Sequence, residues 1–591
     1  SWDLGSSFGL WKGRPSSKRT LSFGFVADPM STWSVPGRLR CCLLLVVCAA
    51  VPAVLGSDDE VCPADAPCAS SRSAGEGIAA QGEYYWPQGR GHPRHYGQSP
   101  YSFGGASCNL SANLRWSWQH PNGRYNTIIT GKPLIDNERN IYISSLDGIR
   151  KFDIDGRALW TWSVSNYTDK RHVPNNPAIM DGRLYNCLTT GELFALSMET
   201  GELLWEVMAS AKGIGGDTAF VTATQGIVLL DVDPPQPAGP LSGRQNNRIV
   251  AFDSSDGSEL WDFTPDVGVW NFLPHFPDDG TAVFQTWNGG AYRLNLSDGT
   301  PIWSQGLDSN VDGWTDGGPA LGPNGLFYTT RSEATMEKSP FSEAGSGGLA
   351  AYRVSDGELV WNRSGLEQGI YTYPVVGRLA KGAPLSVVTG VGSLAWIPLQ
   401  MQLFILGALP GAMVGFLIGM FWALCKCRGM SPQATMCAFL LRPLVAAAVC
   451  ALLGAVAVVP FLKGAYPYSV QAFDAETGEP QWRVELPTWR WYSAAGDEEG
   501  LATRRKNGHR LICLPPASSY LTLDAQGAIY FGHLDGRLYR IKDWNGDGRI
   551  DAGTEVCAFE AGSGFLTGGP SIAPGVLAVA SCDTLYVFGD P

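Results

Sequence analysis

From residue 114 onward, short apolar runs alternate with turns rich in Gly, Asp and Asn. Runs such as GKPLID and NIYISSL are six or seven residues long. That length, with punctuation by turn residues, predicts strands rather than helices. One line recurs six times: KFDIDGRALW, ALSMETGELLW, AFDSSDGSELW, RLNLSDGTPIW, AYRVSDGELVW and AFDAETGEPQW. Each predicts a strand, a tight Asp/Thr-Gly turn and a second strand. The lines close on Trp160, Trp205, Trp261, Trp303, Trp361 and Trp482. With two further short strands upstream of each, the unit has four strands, the pattern of a propeller blade.

Two segments break this rhythm. Leu399–Leu424 carries no charge, and Leu441–Leu462 has Arg442 only at its start. Both are long enough to cross a bilayer. The linker CKCRGMSPQATMCAF holds Lys426 and Arg428, which places it in the cytoplasm by the positive-inside rule. Gly407, Gly411, Gly415 and Gly419 make a stripe of small residues on the first span; Ala447, Ala451 and Ala455 do so on the second. Such stripes serve close helix packing, either of the two spans on each other or of the glycine face on another membrane protein. Cys425, Cys427 and Cys437 lie at the cytoplasmic edge as acylation candidates.

The repeated line resembles the pyrroloquinoline-quinone-type repeat, A-x-D-x-x-T-G-x-x-x-W, which Ala472–Trp482 matches in full. The resemblance implies an all-β propeller in which each Trp docks between neighbouring blades. Blades fall at 131–164, 175–208, 216–266, 271–305, 316–364, 371–487 and 519–560. Residues 568–590 supply three strands, and LRWSWQH (114–120) completes them, giving eight four-stranded blades. The two-helix hairpin then interrupts blade six. The long insertions 234–245, 332–348 and 488–510 share its face, the predicted membrane side. Relatives of this kind include quinone-dependent dehydrogenases, a non-enzymatic bacterial outer-membrane assembly lipoprotein, and lumenal domains of secretory-pathway membrane proteins.

The resulting organisation is 1–29, an upstream-derived segment; 30–56, a signal peptide; and 57–113, a flexible Gly/Pro-rich arm. A first stretch of propeller (114–395), the transmembrane hairpin (396–464) and a second stretch of propeller (465–591) follow. The signal reading rests on Arg38 and Arg40 before CCLLLVVCAAV and small residues near Gly56. It places the propeller in a lumen or outside the cell. Sequons at Asn109, Asn166, Asn295 and Asn362 then become glycosylation candidates. Seven cysteines face an oxidising space, with Cys62–Cys68 and Cys557–Cys582 the preferred pairs. The 591 residues include 21 Trp and carry a net charge of −12 with no basic face. Nucleic acid is therefore not expected as a partner.

Candidate chemistry centres on DWNGDGRID. Asp543, Asn545, Asp547 and Asp551, with the carbonyl of Arg549, have calcium-loop spacing. Thr554 stands where an EF-hand needs Glu, so the loop resembles the calcium loops of integrin-type propeller blades instead. It sits at the third-to-fourth turn of blade seven, and the expected ion is structural. A quinone cofactor is implied only by the resemblance. The sole Cys-Cys pair, Cys41-Cys42, lies in the signal peptide, and no catalytic base can be assigned. HPRH (92–95) lacks strand context and reads as loop. The preferred reading is a membrane-anchored, protein-binding or assembly scaffold of the secretory pathway. The alternative is a quinone-dependent oxidoreductase.

Overall fold

The computed structural model describes residues 84–590 apart from 93, 95–96, 105–107, 169, 216–219, 234–246, 307–314, 316, 333–345, 394–398, 427–430, 460–461, 463, 514–515 and 567. Eight antiparallel sheets succeed one another along the chain. The first blade runs from Leu134–Ile135 through Ile141–Ser145 and Gly148–Phe152 to Ala158–Ser163. Its two middle strands are buried along their whole length, whereas the outer strand alternates exposed and half-buried positions. The inner strands therefore read as apolar runs, and only the outer one shows a two-residue period.

The eighth sheet pairs Leu114–Gln119 with Thr584–Gly589, so the start of the ring is hydrogen-bonded to its end. Closure removes the open strand edge. Blade four departs from the pattern. Its sheet has three strands, and the innermost is reduced to one bridge, His275 to Val283. Pro274 and Pro277 flank that bridge. Proline has no N–H to donate, so no ladder extends there.

In blade six, Leu385–Gly392 precedes the hairpin and Tyr466–Asp474 follows it. The two strands pair without a slip from Ser386 opposite Asp474 to Gly392 opposite Tyr468. The hairpin is thus a true insertion between the second and third strands. Its apolar helices, Leu403–Lys426 and Pro432–Val458, bury only 17% and 11% of their most apolar windows. A helix pair in a soluble core would be mostly buried. The second helix starts at Pro432, nine residues before the expected span, capped by Ser431, whose hydroxyl accepts from Ala434 N. Arg442 consequently lies inside the helix, over the Trp422 ring at 5.0 Å.

Second and third strands are also joined between Val232 and Arg248 and between Ser332 and Gly347, on the same side of the ring as the hairpin. Residues 488–510, expected as a loop, contain the helix Asp497–Lys506. Three acidic residues open it and three basic ones close it, in line with the helix dipole.

The cysteine pairing differs from expectation. Cys557 bonds Cys108, and Cys513 bonds Cys582. Cys557 lies on the outer strand of blade seven, beside the segment that leads into the closing strand. Cys187 is free and buried. Cys62 and Cys68 lie outside the described residues.

Candidate functional site

Six of the eight blade junctions follow one rule. At each of them a Trp of the outer strand lies against the Gly of the next blade's turn and donates its indole N–H to a carbonyl there. Trp116 donates to Ile154 (2.9 Å), Trp160 to Met198 (3.0 Å) and Trp205 to Ser254 (3.3 Å). Trp261 donates to Leu296 (2.9 Å), Trp303 to Val354 (2.8 Å) and Trp361 to Ala475 (3.0 Å). At Gly478, φ is +71° and an added Cβ would stand 2.7 Å from the Trp361 ring, so both conformation and space select glycine.

Trp482 does not repeat this arrangement, although it packs half-buried against residues of blades six and seven. The turn due to receive it is replaced by residues 542–555, between Arg537–Ile541 and Val556–Glu560. Trp482 instead lines a groove of about 280 Å³ between blades six and seven. Leu379, Pro384, Ile529 and Ile550 supply apolar walls, and Lys542 and Asp543 reach its edge.

The acidic loop holds itself by backbone N–H groups. Asp543 accepts from Gly546 N (2.6 Å) and Gly548 N (2.8 Å), one on each carboxylate oxygen. Asn545 accepts from Asp547 N, and Asp547 from Arg549 N, both at 2.8 Å. Asp551 accepts from Gly553 N (2.7 Å). Buried Glu555 closes the loop from behind, accepting from Trp544 N and Asp551 N at 2.8 Å. Arg540 and Lys542 flank the Trp544 ring at 4.8 and 4.5 Å. The donor types suit a hard cation. The arrangement does not present a ready-made cage: among the described residues no group of three His, Cys, Asp or Glu is gathered for a metal.

The ring axis is filled. Phe220, Leu273, Tyr373 and Tyr520, from blades three, four, six and seven, form one buried cluster. The rings of Tyr373 and Tyr520 lie 4.1 Å apart, and Tyr373 donates to the Asn271 carbonyl.

Residues 84–104 cover the axis on the face opposite the insertions. Expected as a loose arm, they are pinned blade by blade. Trp86 exchanges backbone bonds with Ile135 (2.8 and 3.0 Å), and the Pro87 carbonyl accepts from Ile179 N (2.8 Å). The Gln88 side-chain oxygen accepts from Ala223 N (3.0 Å). Arg90 donates to the Pro374 carbonyl and lies over Tyr373 at 5.4 Å. Leu523 exchanges bonds with Gly97 and Ser99. Trp86 and Arg90 are each 1% exposed. The aromatic and Arg content of YYWPQGR was the available signal. In HPRH, only His92 and Arg94 are described; the Arg94 guanidinium bonds Asp278.

On the hairpin, the four glycines face the second helix. A Cβ at Gly411 or Gly415 would collide with the carbonyl oxygens of Cys450 and Ala446. At Gly407 and Gly419 it would meet the Gly454 and Pro443 backbone at 2.6 and 2.5 Å. The stripe is taken up by intramolecular packing. Of the sequons, Asn109, Asn166 and Asn362 are exposed. Asn295 is half-buried and caps a turn, accepting from Ser297 N at 3.2 Å. Cys425 and Cys437 are exposed; Cys427 lies outside the described residues.

Residues 110–236 and 240–373 match a family model described as outer membrane protein assembly factor BamB. They cover the closing strand, blades one to five and the entry to blade six. The chain is built of pyrroloquinoline-quinone-like repeats. The matched segments are together less than half of it. BamB of Yersinia pestis is 26% identical over 161 residues, 26% of this chain and 36% of that relative. BamB of Moranella endobia is 23% identical over 259 residues, 42% of this chain and 59% of the relative. The chain thus matches less than two thirds of the length of these curated relatives. Among solved structures, the quinohemoprotein alcohol dehydrogenase of Comamonas testosteroni aligns with a TM-score of 0.52 at 12% identity. The alignment covers 85% of this chain and 80% of that one, and at that identity it speaks to the fold alone.

Proposed function

We propose that this chain is a membrane-anchored, lumenal or extracellular propeller that binds other proteins as an assembly scaffold of the secretory pathway. One observation carries the reading. The apolar hairpin leaves blade six between two strands that pair in register on either side of it. In this reading the ring is tethered through blade six, with its long insertions toward the bilayer. The Gln402 side chain donates to the Tyr492 carbonyl at 3.0 Å, which ties the hairpin's base to the neighbouring insertion. Exposed Trp491 lies beside that base, where an amphipathic ring suits a membrane interface. The filled axis supports binding over quinone chemistry, and the relatives' description as assembly factors supports the class of role. Within this reading, calcium at 543–551 is a structural ion that reorganises the acidic loop.

The test is crosslinking from residues 488–510 in membranes, with identification of captured proteins. Reproducible membrane-protein partners support the scaffold. A purified chain that carries quinone absorbance and reduces an artificial electron acceptor overturns it in favour of the oxidoreductase. Topology is read separately, by glycosidase-sensitive mass at Asn109, Asn166 or Asn362 and by thiol labelling of Cys437 from the cytoplasmic side.

A further inference from the structure

We infer that the groove between blades six and seven is a docking slot for a glycine-bearing β-turn of another protein, with an acidic residue next to the glycine. The scaffold reading places partners on the membrane-side insertions. This slot lies on the other face and stands whether or not the chain is anchored.

Six junctions of the ring show what a Trp at this position packs against. A Cβ added at Gly156, Gly201, Gly257, Gly299, Gly357 or Gly478 would collide with the docked indole. The ring face thus accepts a turn only where it carries no side chain. The same turn supplies the carbonyl that takes the indole N–H. Each of these glycines also has an acidic neighbour: Asp155, Asp256, Asp298 and Asp356 precede it, and Glu202 and Glu479 follow it.

At the next junction the strand position is kept and both halves of the contact are missing. Trp482 pairs with Ala472 as Trp361 pairs with Ala351. Among the described residues its indole N–H meets no acceptor. Gly546 and Gly548 hold the positive φ of turn glycines, +74° and +79°, yet a Cβ on either would have no neighbour within 4 Å. Trp482, Gly546 and Gly548 all border the one groove of about 280 Å³. The groove is therefore the space that an indole and a glycine turn close between themselves elsewhere. Its remaining walls come from the first-to-second turns of blades six and seven, at Leu379–Pro384 and Gly527, so it opens away from the hairpin. A cavity of roughly 150 Å³ takes a benzene ring, and this one has room for a glycine with its flanking peptide units.

Charge agrees with the occupant. Asp543 directs its two oxygens to the N–H groups of Gly546 and Gly548. Lys542 donates to the Gln526 side-chain oxygen at 3.1 Å and has further protons for a carboxylate at the groove's edge. The incoming turn supplies a carbonyl to the indole, a bare glycine to its face and a carboxylate to Lys542.

The probe is a disulfide-cyclised, fluorophore-tagged peptide with the sequence of Ala472–Trp482, the turn that Trp361 holds in the ring. It is titrated by anisotropy into the full chain in detergent and calcium-free buffer. Saturable binding is expected, at least about tenfold weaker for a peptide carrying Gly478→Val and for a chain carrying Trp482→Ala, since each loses the ring contact. Absence of saturable binding, or equal affinity for the valine peptide, overturns the inference. That comparison uses the unaltered chain and decides even if Trp482→Ala fails to fold. Equal affinity for a folded Trp482→Ala chain also overturns it, because the peptide would then bind elsewhere.

Discussion

The indole of Trp361 donates to the carbonyl of Ala475 at 3.0 Å and lies flat against Gly478. Trp361 ends blade five; Ala475 and Gly478 belong to the turn that follows the membrane hairpin. One side chain therefore clamps the resumed chain to the blade before the interruption. Trp361→Ala should cost about 3 kcal/mol, from lost burial and an orphaned carbonyl. Trp482→Ala, whose indole lines an open groove, should cost about 1 kcal/mol. Denaturant unfolding of the detergent-solubilised variants gives both values, and equal losses would remove the distinction between the junctions.

The disulfides make a chemical prediction. Peptide mapping without reduction should recover Cys108 joined to Cys557 and Cys513 joined to Cys582. Cys557→Ser should leave Cys108 open to alkylation and lower stability by about 3 kcal/mol. Recovery of a Cys557–Cys582 peptide would contradict the structure.

The glycine stripe can be tested by proximity. A Cβ at Gly415 would lie 2.7 Å from that of Cys450. Gly415→Cys should crosslink to Cys450 under mild oxidation after a small separation of the helices. Leu417→Cys, from an exposed position, should not. A stripe facing a different protein would give no intramolecular product at residue 415.

Asp147 supplies a pH signature. Burial alone would raise its pKa, but the Arg150 guanidinium and hydrogen bonds from Thr127 and Ser145 bring it to about 2. Because the folded value is below the unfolded one, its stabilisation is complete above the unfolded pKa and is lost as pH falls through the folded value. A loss of about 2 kcal/mol is expected between pH 5 and 2. Asp147→Asn should flatten that segment of the stability profile. His120, 3.4 Å away, also titrates, its pKa lowered chiefly by burial, so the comparison is made in a His120→Gln background.

Calcium should raise the melting temperature of the intact chain and leave Asp547→Ala unchanged. Each Asp543 oxygen accepts one N–H and keeps a second lone pair for an ion, so calcium should increase the protection of Gly546 and Gly548 in hydrogen exchange. The same melting temperature with and without calcium in the intact chain would falsify the structural-ion proposal.

Six blades were legible because each rests on local chemistry: a polar cap, a Gly turn and a terminal Trp. The acidic loop was located at the correct turn for the same reason. Local rules said little about residues 84–104, which are held to the ring by partners more than forty residues away, such as Ile135 and Leu523. Disulfide partners likewise needed the ring's closure to bring Cys108 beside Cys557. The open groove at Trp482 followed from two visible facts, a docking Trp and an overlong turn, but their conflict became clear only when the blades were set side by side. Helix Asp497–Lys506 carried a readable charge gradient inside a segment too polar to suggest packing, although Arg504 is fully buried against Asp497.

The hairpin's place within blade six imposes an order on biogenesis. The second strand of that blade leaves the ribosome before both spans, and its third strand after them. The final seam, Leu114–Gln119 on Thr584–Gly589, joins the first strand made to the last. Under the proposed membrane anchoring, the second and third strands of blade six pair only after both helices have been made and inserted, and the ring shuts only when the C-terminus follows. In that reading insertion of the hairpin would gate folding, since an unpaired blade six leaves two open arcs with exposed strand edges.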